Sequence, residues 1–446
     1  MTKYQDMYKG KNILAPMVRI GTLPMRLLAL ENGADLVYTE ELIDWKLLRS
    51  FRRENPALGT IDFVDRSDGT VIFRTCERER GRVILQIGTC DPERAFQVAR
   101  LIENDVAGID INMGCPKEFS LKGGMGAALL SKPEKAKDIL IKLVNGIRRP
   151  ITCKIRVFTD EDKTLELCKE FESCGIAAIA VHGRTKDERQ QHPNRNDLLK
   201  KISRALSIPV IANGGSREIE KFEDIAKFRK ASGCTSVMLA RSAEWNASVF
   251  RKEGKLPLDY MIRSYLKLAI DYDNSPSNTK YCIQNMLREL QESELGKKFL
   301  DTQTLSQMSE LWGLSEYYKE RSEKLSDCGL IGRRDVVPEG YKRPCLDSDV
   351  IEMECAFIRN LYPTDPELPK TKLLTWAKEK GHKNPTYKTE QVDKLFKAVV
   401  CINNKKYSST FWEKSKRRAE QGAAIVCLCD NGVFDKTVLR ENGVLR

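Results

Sequence analysis

Histidine is the scarcest chemistry-bearing residue in this 446-residue chain, which has only His182, His192 and His382. So few imidazoles leave little material for a zinc centre, and no metal is expected. The fourteen cysteines show no metal-ligand spacing, and their one close pair, Cys427 and Cys429, sits in an apolar stretch. Scattered in this way they describe no disulfide framework. Reduced thiols in a cytoplasmic (or nuclear) protein are expected, and the cytoplasm is the assigned location. No apolar run approaches the length that spans a bilayer, so no membrane partner is expected. The opening residues, Met1-Thr-Lys-Tyr-Gln-Asp, have no apolar core and no enrichment in Arg and Ser. Neither a secretory nor a mitochondrial address is therefore expected in them. A Gly-x-Gly-x-x-Gly fingerprint after the first strand-like run is also missing, which disfavours an open doubly wound sheet.

Hydrophobic residues make up 41% of the chain and charged residues 31%, the balance of a soluble globular protein. The length calls for two or three domains. A formal net charge of +12 points to an anionic partner.

In the first half, short apolar and β-branched runs alternate with helical spacing. The runs are 12–17, 35–39, 83–87, 108–112, 151–157, 178–182, 209–213 and 236–241, and stretches such as 91–104, 132–146 and 162–174 lie between them. Near-continuous apolarity suits parallel strands buried on both faces, and eight strand–helix units predict an α/β fold, a (β/α)8 TIM barrel. Before the third run, Thr60–Val64 and Thr70–Arg74 flank Asp68-Gly69, which predicts an inserted hairpin.

Polar groups and glycines collect where these strands end: Ala15-Pro16-Met17, Gln86, His182-Gly-Arg184, Asn213-Gly214-Gly215 and Ala240-Arg241, with Lys154 inside the fifth strand. In such a barrel the loops after strands seven and eight commonly bind phosphate through backbone N–H groups. Gly214 and Gly215 clear side chains from that position, and Arg241 adds charge.

The most informative segment is Asn112-Met-Gly-Cys115-Pro-Lys117, followed by Lys122-Gly-Gly-Met-Gly-Ala-Ala-Leu-Leu130. It puts one cysteine at the C-terminal end of a buried strand, ahead of a basic, glycine-rich loop. This signature resembles that of the tRNA-dihydrouridine synthases, flavin enzymes that reduce a uridine of tRNA. The eukaryotic branch acting at position 20 is the most similar, strongly over 11–243 and clearly over 352–428. The resemblance implies FMN held by Pro16, Met17, Val18, Gln86, Lys154, His182, Asn213, Gly214, Gly215, Ala240 and Arg241, with NADPH as reductant. Lys154 would supply the cation that a reduced flavin ring needs, and Gln86 a donor at the pyrimidine edge. FMN is expected rather than FAD because nothing resembles a fold for an adenine nucleotide.

The expected mechanism passes hydride from N5 of FMN to C6 of the uracil, with Cys115 giving a proton to C5 as general acid. A covalent role for Cys115 is disfavoured because no histidine neighbours it in sequence. Asn112 would hold the uracil edge, Arg184 its carbonyl or a nearby phosphate, and Lys117 and Lys122 the RNA backbone. A uracil inside folded RNA must be extruded to reach a barrel mouth, so further RNA-gripping surface is expected.

That surface is expected downstream. Apolar residues at three and four spacing over 258–272, 278–292 and 295–312 predict a helical domain, and by resemblance this position helps seat tRNA. A polar stretch with Gly329, Gly332, Pro338 and Gly340 reads as a linker. The tail resembles a double-stranded-RNA-binding domain: helix 369–381, strands near 385–389, 395–402 and 406–410, and helix 414–428. Between Lys370 and Glu420 there are fourteen Lys/Arg against five Asp/Glu. Lys414, Lys416, Arg417 and Arg418 match the family's phosphate-gripping helix start. Arg359, just ahead of the first tail helix, lies in a stretch that resembles an N-terminal extension adding RNA contacts in this branch, which makes it a candidate for such a contact. A Gly-Pro-x-His loop typical of such domains is lacking. The expected layout is a barrel over 1–256, helices over 257–328, a linker over 329–350 and the RNA-binding domain over 351–446, in a monomer. Two other readings stay open: a small-molecule FMN reductase of the dihydropyrimidine or dihydroorotate type, and a non-enzymatic double-stranded-RNA-binding regulator.

Overall fold

The computed structural model describes residues 4–66, 70–327, 349–362, 364–392, 395–413, 415–441 and 444–445. Eight parallel strands close into a barrel: β1 (Asn12–Leu14), β2 (Leu36–Ile43), β3 (Val83–Gly88), β4 (Gly108–Met113), β5 (Ile151–Arg156), β6 (Ala178–His182), β7 (Val210–Asn213) and β8 (Ser236–Leu239). Each strand pairs with the next in sequence, and β8 closes on β1. The expected (β/α)8 barrel is the fold observed. Its strands are buried on both faces, as at the neighbouring pairs Ile84 and Leu85, and Val210 and Ile211. Each such side chain contributes roughly 1.5–3 kcal/mol by leaving water.

Helix starts between the strands follow local chemistry. Asp91 accepts from the Arg94 N–H at 2.9 Å ahead of helix Pro92–Ile102. Asp160 accepts from the N–H groups of Asp162 and Lys163 ahead of helix Glu161–Ser173. Both aspartates satisfy amides that a helix leaves unpaired. Tyr8, Tyr38, Ile84, Ile211 and Met238 fill the barrel interior.

The insertion before β3 has three strands, Ser50–Asn55, Thr60–Asp65 and Val71–Cys76. The first was not expected, because Ser-Phe-Arg-Arg-Glu-Asn carries almost no apolar signal. The Asp68-Gly69 turn lies outside the described residues, as does nearly all of the expected linker.

Helices Leu258–Asp271 and Pro276–Leu287 follow the barrel. The third expected helix is two, Glu294–Asp301 and Leu305–Leu311, and Ser315–Asp327 adds another. The break is a capping box: the Gln307 side-chain Oε1 accepts from Thr304 N–H at 3.3 Å, and Thr304 Oγ1 accepts from Gln307 N–H at 3.2 Å. The barrel and the helices through Asp301, together with 309–321, pack as one compact unit.

The tail is an α+β unit. A sheet of β9 (Val350–Met353), β10 (Thr386–Val392), β11 (Leu395–Ile402) and β12 (Lys405–Ser409) has the order β9-β12-β11-β10. Helices Pro369–Glu379 and Lys416–Asp430 pack on it around Leu373, Ala377, Val400, Tyr407, Ala423 and Val426. Asn403 and Asn404, with φ of 48° and 59°, form the tight turn between β11 and β12. Strand β9 was not read from the sequence; it runs parallel to β12 in the segment assigned to the N-terminal extension. No helix among the described residues is long and apolar enough to cross a membrane.

Candidate active site

A cavity of about 490 Å³ opens where the barrel strands end, within the size range of small-molecule and cofactor sites. Ten of the eleven residues expected to hold a flavin line it: Pro16, Met17, Val18, Gln86, Lys154, His182, Asn213, Gly214, Ala240 and Arg241. Gly215 does not. A Cβ there would sit 2.7 Å from the Phe228 ring, so this glycine serves close packing behind the loop. Gly214, at φ +116°, has its carbonyl held by Arg184 Nη1 at 2.8 Å.

The electrostatics favour an anion. Lys154 projects from β5 into the cavity, and among the described residues no carboxylate pairs with it. Burial, then the nearby Arg156, bring its ammonium down to about 8. Beneath it, fully buried Asp110 accepts from Gln86 Nε2 at 2.8 Å and from Thr152 Oγ1 at 2.7 Å. Burial raises that carboxyl to about 6. The bond fixes the Gln86 amide, leaving its carbonyl oxygen for a ligand's N–H. His182 lies well below its usual range, first through burial and then through Lys154, Arg156, Arg184 and Arg241. It is a neutral imidazole; Nδ1 accepts from the Arg184 N–H at 3.3 Å, so Nε2 carries the proton.

Cys115 lines the same cavity, half-buried just past the end of β4. Its loop is fixed by Asn112, whose Oδ1 accepts from the N–H groups of Gly114 at 3.0 Å and Cys115 at 3.1 Å. The Asn112 carbonyl expected at the uracil edge is thus committed to the backbone, and only its amide nitrogen is left for other partners. The glycine-rich run has a specific purpose at Gly126. Its φ is +58°, and a Cβ there would lie 2.7 Å from the Cys115 carbonyl oxygen. That closeness lets Ala127 N–H donate to the same oxygen at 3.0 Å.

Lys117 and Arg184 line the cavity as expected, although Arg184 is 5% exposed and also donates to the carbonyl of His192. Lys122 does not line it; its ammonium is exposed and pairs with Glu118 at 2.6 Å. Several lining residues were missed from the sequence: Glu41, Arg156, Arg189, Arg217, Tyr281 and Asn285. Arg156 was legible as an i+2 partner of Lys154 on the same strand face. Tyr281, which carries Arg19 over its ring at 4.1 Å, comes from a distant helix and had no local signal.

In the tail, Lys416, Arg417 and Arg418 are exposed at the start of helix Lys416–Asp430, capped by Ser415 Oγ, which accepts from Arg418 N–H at 3.3 Å. Three cations at a helix N-terminus oppose the helix dipole, an arrangement that an outside anion relieves. Lys414 lies outside the described residues. Arg359 is ion-paired to Asp365 at 3.3 Å and 42% exposed.

The family model described as "Dihydrouridine synthase (Dus)" matches residues 13–308. The chain belongs to the dihydrouridine synthase family. A second model, the double-stranded RNA binding motif, matches residues 369–430. A Schizosaccharomyces pombe relative named tRNA-dihydrouridine(20) synthase is 40% identical over 291 residues, covering 63% of this chain and 60% of its own length. The chain therefore spans less than two thirds of that relative. A Saccharomyces cerevisiae protein of the same name is 38% identical, with 63% of this chain and 78% of its own covered. A solved dsRBD domain of a tRNA-dihydrouridine(20) synthase is 44% identical over 19% of this chain and 92% of its own, with a TM-score of 0.19.

The cavity of this dihydrouridine synthase family member suits a flavin on its own chemistry. An unpaired buried ammonium, an oriented Gln86 carbonyl, a neutral His182 and the side-chain-free Gly214 suit a ring that is polar along one edge and carries a phosphate.

Proposed function

We propose that this chain reduces a uridine of tRNA, at position 20, to 5,6-dihydrouridine in the cytoplasm, using NADPH and bound FMN. When bound, FMN would supply the hydride-transfer chemistry that links NADPH to C6 of the uracil. Lys154 would hold the negative charge that collects on the ring's pyrimidine edge, and Gln86 and His182 would orient that edge. Gly214, Ala240 and Arg241 would hold the phosphate.

Cys115 gives its thiol proton to C5 as charge builds there, which requires the sulfur to enter the reaction protonated. Lys117 and Arg184 neutralise substrate charge at the mouth of the cavity. Lys416, Arg417 and Arg418 grip RNA phosphates without reading sequence, and Arg359 extends that grip.

The observation that carries this reading is the pairing, in one cavity, of an unpartnered cation with a half-buried thiol. Mapping dihydrouridine in tRNA from cells lacking the protein tests it. Position 20 should revert to uridine while other dihydrouridines persist, and an unchanged position 20 would refute the assignment. Purified protein without flavin absorbance would favour the RNA-binding regulator instead. Turnover of free uracil or orotate would favour the small-molecule reductase.

A further inference from the structure

Glu41 lies on β2 just beyond a register irregularity that separates it from Tyr38, the kind of bulge that re-aims a side chain. The side chain lines the cavity, and its Oε1 is buried with no hydrogen-bond partner. Across the sheet, a Cβ on Gly88 would lie 2.6 Å from that Oε1 and 3.0 Å from Cγ. The carboxylate occupies space that only glycine leaves open. Its neighbours are the side chains of Asn112, Cys115 and Ser120, with the charge of Lys117 nearby. Burial raises this carboxyl above its ordinary range, and those neighbours offset the rise in part.

We propose that Glu41 is a further catalytic residue, the acid that returns a proton to the Cys115 sulfur after each transfer to the pyrimidine. This rests on the reading of Cys115 as the proton donor to C5. In that transfer the S–H bond breaks, a C–H bond forms, and the sulfur keeps the electron pair as thiolate. The Glu41 carboxylate then takes a proton from solvent at the cavity mouth, and its new O–H bond breaks as S–H re-forms, which leaves the carboxylate for the next cycle. A thiolate left beside the Glu41 carboxylate repels its charge, which favours uptake of a proton by that carboxylate. His182, the histidine lining this cavity, is held neutral by burial and then by the surrounding cations, and is a poor proton source.

The first test uses flavin-free full-length protein. Alkylation of Cys115 by iodoacetamide is followed at its peptide by mass spectrometry, for wild type and Glu41→Gln, from pH 5 to 9. Removing the negative charge beside the sulfur favours thiolate, so the variant should react about 5- to 10-fold faster at neutral pH. Gly88→Ala, which displaces the carboxylate without deleting it, should accelerate alkylation in the same direction.

The second test compares turnovers. With wild-type flavin content, Glu41→Gln should complete a first turnover at near wild-type rate, because Cys115 starts protonated, and then slow about 10- to 100-fold in steady state. Unchanged alkylation in both variants, or unchanged steady-state turnover in Glu41→Gln, overturns the proposal. Full turnover by Cys115→Ala would instead overturn the reading beneath it, while the alkylation result would still report whether Glu41 governs the sulfur.

Discussion

Lys154 should trade stability for binding. In the folded protein its ammonium titrates at about 8 rather than the usual 10.5, which costs about 3 kcal/mol at neutral pH. Water in the open cavity screens part of this, so a penalty of about 1–3 kcal/mol is expected. Lys154→Met removes the charge and keeps an apolar chain of similar length. The flavin-free variant should therefore melt roughly 2–12 °C higher than wild type in calorimetry, at about 2–4 °C per kcal/mol for a domain of this size. The sign can be checked against pH. The unfolded chain holds this proton up to 10.5 and the folded protein releases it near 8. The wild-type handicap is full below 8 and fades as pH rises to 10.5, so wild-type stability should climb over that window relative to the variant. FMN binding should move the other way, weakening about 10- to 100-fold in fluorescence titration through loss of a charge-assisted contact. A flavin-free variant that melts at or below the wild-type temperature, with unchanged FMN affinity, would refute the view that Lys154 is an unpaired cation kept for an anionic ring.

Other outcomes follow from the same geometry. Cys115→Ala should keep its flavin absorbance and its NADPH oxidation yet lose dihydrouridine formation, measured by mass spectrometry of tRNA nucleosides. Gly126→Ala forces a Cβ against the Cys115 carbonyl at a left-handed φ, costing about 1–3 kcal/mol in chemical denaturation and lowering product formation more than flavin binding. Replacing Lys416, Arg417 and Arg418 together by alanine should weaken tRNA binding across sequences and reduce the slope of log K against log salt by about 2–3, in filter binding over a salt series. An unchanged slope would place the phosphate contacts elsewhere.

The sequence was most informative where function depends on local pattern. Periodicity located all eight barrel strands, because strands buried on both faces must be apolar almost throughout. It also located both tail helices and the Asn403-Asn404 turn, because left-handed backbone selects asparagine. The ends of those strands supplied ten of the eleven flavin-holding candidates that line the cavity, since a barrel carries its ligand groups at one end of every strand. Strand Ser50–Asn55 escaped because its charged face carries little apolar signal, and Val350–Met353 because four residues are too few to show a period.

Tertiary structure alone decided the partnerships. That Asn112 serves the loop backbone, that Lys122 turns outward to Glu118, and that Tyr281 reaches the barrel mouth from a helix some 170 residues beyond Cys115 are facts of packing. The same holds for Glu41. Nothing in Tyr-Thr-Glu-Glu-Leu separates Glu40 from Glu41; the irregular register of β2 and the gap at Gly88 aim one of them at the cysteine. Composition and spacing fix which residues a strand presents, but a carboxylate's proton affinity depends on what surrounds it. Those surroundings come from parts of the chain brought together only by closure of the barrel.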